Sequence, residues 1–284
     1  MLVKLFFIMF SCAFSSAFAL DFYSLESQKK TTFDSIVKGV ERDAIVIFGE
    51  THYQSGSIST QAQLIDTLSK KITHQGSVVA LEFLDYPEQQ MLATFFYRYV
   101  RDDISLKEML NVFFPLNNEQ KNPNHIYGKL FEAAKKNGSS LLATNAPRAW
   151  KRVLRREGVD ELESHQIPRG MKRGSDDYFE RFVKAVGGHG SPDVLEGYFL
   201  AQSYTDAFMA QSIVDETAGK LTFMTVGHFH SDFGHGLPSY IKDLSSRQII
   251  TLRIVDSKGL TSQAFTELMD LKTYGPVADY LVFY

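Results

Sequence analysis

The feature that most constrains the fold of this chain is an apolar run over residues 44–48 that stops at Gly49 and is followed by Glu50, Thr51 and His52. The run is rich in branched side chains, which is typical of a strand buried on both faces of a sheet. In open α/β sheets, ligands bind beyond the carboxyl ends of the strands. The stretch therefore predicts a core strand that carries a carboxylate and an imidazole to the edge where a site would form.

The same arrangement recurs three times along the chain. Apolar runs over residues 77–81, 140–144 and 221–226 end at Glu82, Asn145 and His228. Helical patterns separate the runs, and the first of them is expected to start at Thr60 after a polar loop over residues 53–59, because Thr60 and Gln63 have capping-box spacing. This alternation predicts an α/β fold with a mostly parallel central sheet and helices on both faces. The four polar strand ends are then expected to meet at one edge.

The rest of the chain predicts one domain over residues 20–284, since no shift in composition divides it. Its patterns indicate further elements: a first helix over 27–40, a long helix over 194–215, strands over 248–255 and 280–283, and a helix over 261–269. Residues 158–192 are irregular and rich in charge and glycine, and we expect them to form a helical cap or lid. Tyr178 lies on a short helix within that segment.

The first 19 residues are typical of a secretory signal peptide. Lys4 precedes an apolar run, and Ala17 and Ala19 form an A-x-A cleavage site, so the mature chain is expected to start at Leu20. The protein is therefore predicted to be exported, either to the periplasm or to the outer membrane. Lipidation of Cys12 is the weaker alternative, because bulky Phe10 stands where such sites have small residues.

Cleavage after residue 19 would leave no cysteine in the mature chain, which excludes disulfides, cysteine nucleophiles and thiolate ligands. Loss of Lys4 with the leader changes the formal net charge from −3 to −4. This mild acidity argues against a nucleic-acid-binding protein.

Two helical patterns carry charge that needs an interpretation. Basic residues recur on one face of the helix that Pro147 opens, starting at Arg148, and they form either a solvated surface or a docking face for propionate groups. Asp206 interrupts the aromatic stripe of the long helix, so it is expected to pair with a basic group or to face a site. His230 and His235 follow His228 in a segment predicted to be a loop.

These residues alone leave the chemistry open. Imidazoles and carboxylates without thiolates could hold a divalent transition metal, with Glu50, His52, Glu82 and His228 as ligands. The same four groups could instead serve as the acid, base and electrostatic partners of a hydrolase that cleaves an ester, amide or peptide. The spacing of the residues does not choose between these functions.

Five ordered motifs give the chain a resemblance to a known family. They are Gly-Glu-Thr-His at 49–52, Ala-Leu-Glu-Phe at 80–83, Thr-Asn-Ala-Pro-Arg at 144–148, Asp-Ala-Phe-Met-Ala at 206–210, and Gly-His at 227–228 with Gly-Leu-Pro at 236–238. In this order they resemble the ChaN-like haem-binding uptake proteins, which share a superfamily with TIKI metalloproteases and erythromycin esterases.

The resemblance implies an exported or lipid-anchored protein that binds haem and serves iron acquisition. It makes His52 and His228 the principal imidazoles and Glu50 and Glu82 the carboxylates. It also implies supporting or haem-binding roles for a further group: Asn145, Arg148, Tyr178, Asp206, His230 and His235. The implied partners are haem, an outer-membrane haem or iron receptor, and a second copy of the chain in a homodimer. A histidine or a tyrosine would serve as axial ligand. The superfamily keeps hydrolysis as the alternative function.

Overall fold

The computed structural model describes residues 20–72, 76–117, 119 and 121–284, so the predicted leader and Cys12 lie outside the described residues. In this part of the chain eight strands form one sheet: β1 (Asp21–Ser24), β2 (Lys29–Thr31), β3 (Ile45–Glu50), β4 (Ser77–Asp85), β5 (Ser140–Asn145), β6 (Leu221–Gly227), β7 (Ile249–Val255) and β8 (Tyr280–Phe283). The α-helices described are α1 (Phe33–Lys38), α2 (Ser55–Ile72), α3 (Gln89–Val100), α4 (Leu106–Phe113), α5 (Gly128–Asn137), α6 (Arg148–Glu157), α7 (Asp176–Ala185), α8 (Pro192–Glu216), α9 (His228–Ser231), α10 (Leu237–Leu244) and α11 (Ser262–Leu268).

The strand order is β2-β1-β8-β7-β3-β6-β4-β5. From β8 to β5 every neighbouring pair is parallel, whereas β1 pairs antiparallel with both β8 and β2. The predicted α/β fold with a mostly parallel sheet is therefore confirmed. The four predicted core strands are direct neighbours in the order β3-β6-β4-β5, which brings their carboxyl ends together.

Both faces of β3 are buried, as its apolar run predicted. Val46 and Phe48 pack into a core cluster with residues of α2, α3, α4 and α5. Ile45 and Ile47 point to the other face, into a cluster with residues of α8 and α10. Successive strand residues alternate between faces, so helices must cover both sides.

Two predicted boundaries are wrong. The first helix starts at Phe33 rather than at residue 27, because β1 turns back into β2 through Gln28, whose φ is +52°, and pairs with β8. Helix α2 starts at Ser55 rather than at Thr60. Ser57 and Ile58 are buried in its first turns, so tertiary packing has extended the helix beyond the capping-box signal.

Residues 158–192 contain α7 and two single turns of 3₁₀ helix, at Val159–Glu161 and Ser164–Gln166. Tyr178 and Phe182 of α7 pack on Phe199 of α8 in a small buried cluster. A capping role for this segment stays a prediction. Among the described helices, none combines the length and the apolar character that crossing a membrane requires.

The burial of Phe48 gives a test of this core. Phe48 is fully buried and stacks on Phe223 with 6.3 Å between the ring centroids. Phe48→Ala is expected to lower the free energy of unfolding by about 3–5 kcal/mol, since it leaves a cavity between the sheet and the helices that cover one of its faces. Denaturant unfolding followed by circular dichroism measures this. Phe265→Ala is the matched control, because Phe265 is exposed; equal losses in the two variants would contradict the assigned core.

Candidate functional site

A depression of about 350 Å³ lies at the carboxyl edge of the sheet, at the ends of β3 and β6. Register places Glu50 of β3 beside Gly227 of β6, and Asp85 of β4 beside Asn145 of β5. The residues that line the depression come from the end of β3, from the end of β6 with α9 after it, and from α8: Glu50, Thr51, His52, Gln202, Gly227, His228, Phe229 and His230. Three of the predicted principal groups thus lie at one place.

Glu50 is a buried carboxylate that three side chains hold. Its Oε1 accepts a hydrogen bond of 2.7 Å from the Tyr127 hydroxyl and lies 3.1 Å from Nδ1 of His52. Its Oε2 accepts a bond of 2.9 Å from Nε2 of Gln61, whose own Oε1 accepts from Thr225 of β6. The hydrogen bond to Glu50 raises the pKa of His52 against the opposing effect of burial, and the charge of Glu82 adds to the rise. The His52 ring is therefore biased towards its charged form.

His52 can lie across the end of β6 only because residue 227 is glycine. A β-carbon at Gly227 would come within 2.6 Å of Nε2 of His52 and 3.5 Å of Oε2 of Glu82. The close approach leaves no room for any side chain at this position. The shape of the depression thus depends on a bare backbone at its floor.

Glu82 and His230 form the buried side of the site with Asp206. The backbone N–H of Gly227 donates to Oε2 of Glu82 at 2.6 Å, and Nε2 of His230 lies 3.3 Å from Oε1. Nδ1 of His230 lies 2.6 Å from Oδ1 of Asp206. An imidazolium that donates from both nitrogens satisfies both carboxylates, so we assign His230 as charged.

The pKa values follow this arrangement. Burial alone would lower the pKa of His230, but Asp206 and Glu82 raise it to about 10. Burial alone would raise the pKa of Glu82, but the charge of His230 and the hydrogen bonds lower it to about 2. Burial raises the pKa of Asp206 despite His230. The three groups therefore act as one coupled unit.

Tyr178 is hydrogen-bonded to this unit through Asp206. It is fully buried, its hydroxyl donates to Oδ2 of Asp206 at 2.9 Å, and its ring stacks on Phe229 with 5.2 Å between centroids. Burial raises its pKa well above the ordinary value, ahead of the effect of Asp206. Asp206 thus contacts His230, Tyr178 contacts Asp206, and neither residue lines the depression, so the haem-binding role that the resemblance implied for them stays a prediction.

His228 is oriented by a carboxylate on its own helical turn. Its Nδ1 lies 2.7 Å from Oδ2 of Asp232, and 38% of its side chain is exposed. Asp232 is buried and is flanked by Arg253, with Nε 3.5 Å from Oδ1, and by Arg181, whose Nη1 donates to its backbone oxygen at 3.0 Å. The segment after β6 was predicted to be a loop, and this is wrong because α9 begins at His228.

The other predicted residues occupy different positions. Asn145 donates to the backbone oxygen of Glu82 at 2.9 Å and accepts from Lys151 at 2.7 Å, so it braces the β4 end. Arg148 is exposed at the start of α6 and lies 3.3 Å from Asp85. His235 lines a separate cavity of about 420 Å³ beside α7. It is not brought into the depression.

The predicted metal ligands do not form a metal centre. His52 pairs with Glu50 and His228 pairs with Asp232, while Glu82 is engaged by His230 and the Gly227 N–H. Among the residues that the structure describes, no group of three or more His, Cys, Asp or Glu side chains is placed to hold a metal ion. The divalent-metal alternative is therefore not supported, because the carboxylates are already bound to donors of the protein.

Four groups of the site were missed by sequence reasoning: Gln61, Tyr127, Gln202 and Asp232. Gln61 and Tyr127 carry no local signal, since their link to Glu50 spans 11 and 77 positions of the chain. Asp232 is different, because it follows His228 at i,i+4 spacing. That spacing would have paired the two residues had the segment been predicted to be helical.

The charged state of His230 can be tested by its titration. We expect the His230 imidazole to stay protonated at pH 8, as seen in its ¹⁵N chemical shifts, and Glu82→Gln to lower its pKa towards the ordinary value of 6.5. Because the pKa is raised in the folded protein, the stabilisation is complete below pH 6.5 and is lost as the pH rises through about 10. Glu163→Gln, which changes an exposed carboxylate beside His165, is the control. A neutral His230 at pH 8 would contradict the assignment.

Comparison with one solved structure supports this fold. The solved structure titled "Cofacial heme binding to ChaN of Campylobacter jejuni" superposes with a TM-score of 0.70 at 18% identity, covering 93% of this chain and 96% of that one. A mutant erythromycin esterase, EreC, in its open conformation gives a TM-score of 0.45 at 13% identity, covering 83% and 77% of the two chains. No curated protein matches the sequence significantly. The family described as "Haem-binding uptake, Tiki superfamily, ChaN" matches residues 36–241. This chain therefore belongs to the ChaN family of haem-binding uptake proteins in the Tiki superfamily.

Proposed function

We propose that this protein binds haem at the depression on the carboxyl edge of its sheet, and that it is exported and serves iron acquisition. One observation carries the choice of site: His52 and His228 line the same depression, and the Nδ1 atom of each ring is held by a buried carboxylate. A carboxylate on one ring nitrogen is the usual support for a histidine whose other nitrogen binds a metal. In the described residues, no hydrogen bond involves Nε2 of either ring.

The two imidazoles suit different parts of haem. His52 has a raised pKa and 47% of its side chain is exposed, so its charged form suits a propionate. His228 is then the imidazole that remains for the iron, with Asp232 holding its orientation. Bound haem would supply an iron that accepts one axial ligand from the protein. Exposed Arg148 at the same sheet edge is a second basic partner for a propionate.

The rim of the depression also suits a flat, largely apolar ligand. The partly buried Phe229 ring lies on its wall. Tyr53 is 58% exposed next to His52, with 6.1 Å between the ring centroids, and its φ is +63°. A bulky residue in this left-handed region is uncommon, and such backbone strain is concentrated at functional sites.

The hydrolase alternative is not favoured by this geometry. Both oxygens of Glu50 and both oxygens of Glu82 already lie against donors of the protein. A carboxylate that activates water needs to reach that water within hydrogen-bond distance. The site therefore offers exposed imidazoles, but no exposed carboxylate base beside them.

Haem titration tests the proposal. We expect the wild-type protein to shift the Soret band, His228→Ala to weaken binding strongly, and Asp232→Asn to weaken it by about 10- to 100-fold, because the ring loses its support. The mass of the loaded protein in light scattering shows whether haem joins two copies in the expected homodimer.

Two variants control the titration. His165→Ala, which changes an exposed histidine outside the depression, should bind as the wild type does. Tyr53→Phe separates imidazole from phenolate ligation. A Soret spectrum that changes in Tyr53→Phe and not in His228→Ala would contradict His228 as the iron ligand, and the absence of any shift in the wild type would refute haem binding.

Export is supported by the sequence of residues 1–19 alone. An exported haem carrier would exchange its cargo with a haem or iron receptor in the outer membrane. In a bacterial host with a periplasm, we expect the recovered protein to begin at Leu20, and Ala19→Lys to block this processing. Cys12→Ala is the control and should be processed normally. A lipid on Cys12, detected by mass spectrometry, would contradict cleavage after Ala19 and favour the lipoprotein.

A further inference from the structure

Helix α6 concentrates positive charge on one side. Its sequence contains five basic residues and one acidic residue, in a chain whose formal net charge is −3. With about 3.6 residues per turn, the five basic residues share an arc of about 140° around the helix, and Glu157 lies outside that arc. Leu154 is buried on another side and anchors α6 in the fold. The five residues are called the basic face: Arg148, Lys151, Arg152, Arg155 and Arg156.

Three arginines of the basic face have no ionic partner among the described residues. Arg148 lies beside Asp85, but no ion pair or hydrogen bond within the described part of the chain involves the side chains of Arg152, Arg155 and Arg156. Arg152 and Arg156 are exposed, and Arg155 is half-buried. Like charges at i,i+4 spacing, as at positions 152 and 156, repel each other and destabilise a helix. The fold itself therefore gives no reason for this concentration of charge.

The helix dipole accounts for only part of it. The last turn of a helix favours cations, which suits Arg155 and Arg156. Arg148 and Arg152 lie in the first half of α6, where the dipole gives no such support. The acidic side chains in residues 157–161 come after the basic face, so they offset its charge only at that end. A polyanionic partner would explain the whole face.

Exposed apolar side chains of α8 border the basic face. A β-carbon at Gly197 would lie 2.8 Å from the backbone oxygen of Arg155, so α8 packs closely against α6 at this glycine. The Arg155 guanidinium lies over the Tyr198 ring, with 4.8 Å between its carbon and the ring centroid. Tyr198 is 46% exposed, and Val194, one turn earlier in α8, is 48% exposed. Basic residues beside exposed aromatic and aliphatic side chains are typical of a surface that lies on lipid headgroups.

The acidic residues of this part of α8 do not cancel the basic face. Glu196 is held by Arg173, whose Nε lies 2.5 Å from its Oε1. Asp193 is in the first turn of α8, where the helix dipole stabilises a carboxylate. The three unpaired arginines therefore remain available to an external anion.

We propose that the basic face of α6, with Tyr198 and Val194 beside it, binds the surface of a membrane that contains anionic phospholipids. The guanidinium groups contact lipid phosphates through paired N–H donors, and the two apolar side chains enter the headgroup region. No residue of α6 lines either cavity described above, so the face offers no groove to an acidic peptide, whereas it can lie flat on a lipid surface. The contact is peripheral and does not depend on haem.

Co-sedimentation of the purified protein with lipid vesicles tests this proposal. We expect the protein to bind vesicles of phosphatidylcholine and phosphatidylglycerol in equal parts about 100-fold more tightly than pure phosphatidylcholine, since each basic residue near an anionic surface contributes about fivefold. A hydrophobic leader or a lipid anchor would bind both kinds of vesicle, so the difference between them reports the charge. The triple variant Arg152→Gln/Arg155→Gln/Arg156→Gln should lose most of this preference. Tyr198→Ser should also weaken binding to the anionic vesicles, which a purely electrostatic contact would not show.

A second triple variant is the matched control. Lys29→Gln/Lys107→Gln/Lys258→Gln removes the same charge from exposed lysines on other parts of the chain and should bind the anionic vesicles nearly as the wild type does. Equal losses in the two triple variants would overturn the proposal, because they would show an effect of net charge alone. Equal binding to both kinds of vesicle, or binding to neither, would also overturn it. If the wild type binds soluble polyglutamate and not the anionic vesicles, the face serves an acidic protein instead.

Haem titration separates this surface from the haem site. The arginine triple variant should shift the Soret band as the wild type does, since none of its three positions lines the depression. Loss of haem binding in that variant would make the basic face a propionate site and overturn the proposal. If the wild type binds no haem, the vesicle comparison still decides the question. Circular dichroism checks that both triple variants are folded, and Tyr198→Ser supplies the test should the arginine variant not fold.

Discussion

The buried carboxylate of Glu50 is the interaction on which the site depends. It stands at the end of the central strand, where an unpaired charge would cost several kcal/mol. Three donors remove that cost, and each comes from a different element: Gln61 from α2, Tyr127 from the turn before α5, and His52 from the loop after β3. Gln61 also joins β6 through Thr225. One charge thus fixes the positions of two helices relative to the strand that carries it.

The three histidines of the site share a chemistry and differ in exposure. Each has its Nδ1 within hydrogen-bond distance of a buried carboxylate, on Glu50, Asp206 or Asp232. Only His230 is enclosed, and a second carboxylate fixes it as a cation. His52 and His228 keep a face towards the depression. The buried His230 therefore stabilises the edge, and the partly exposed His52 and His228 are available to a ligand.

Sequence reasoning located this edge because buried parallel strands leave continuous apolar runs, and a polar residue marks where each run ends. Glu50, His52, Glu82 and His228 were found in this way. The sequence could not predict hydrogen-bond partners that only the folded chain brings close, such as Tyr127. Nor could it predict helix starts that depend on burial, as at Ser55. The role of Tyr178 was also beyond reach, since a tyrosine on a charged, irregular segment looks exposed until α8 is seen to cover it.

Two glycines at this edge allow close packing of α9 and of the His52 ring against the strand ends. A β-carbon on Gly49 would lie 2.4 Å from Oγ of Ser231, so α9 can press against β3 only at a bare backbone. Gly227 does the same for the His52 ring. Close packing at these points draws His228 and His52 to the two sides of one floor, whose N–H at Gly227 is already bound to Glu82. With the backbone donor and both carboxylates occupied internally, the imidazole edges are what the floor presents. An iron porphyrin has a metal that accepts an imidazole nitrogen, and it needs no backbone N–H donor from the floor. It therefore fits that floor better than a substrate whose reaction needs an oxyanion hole.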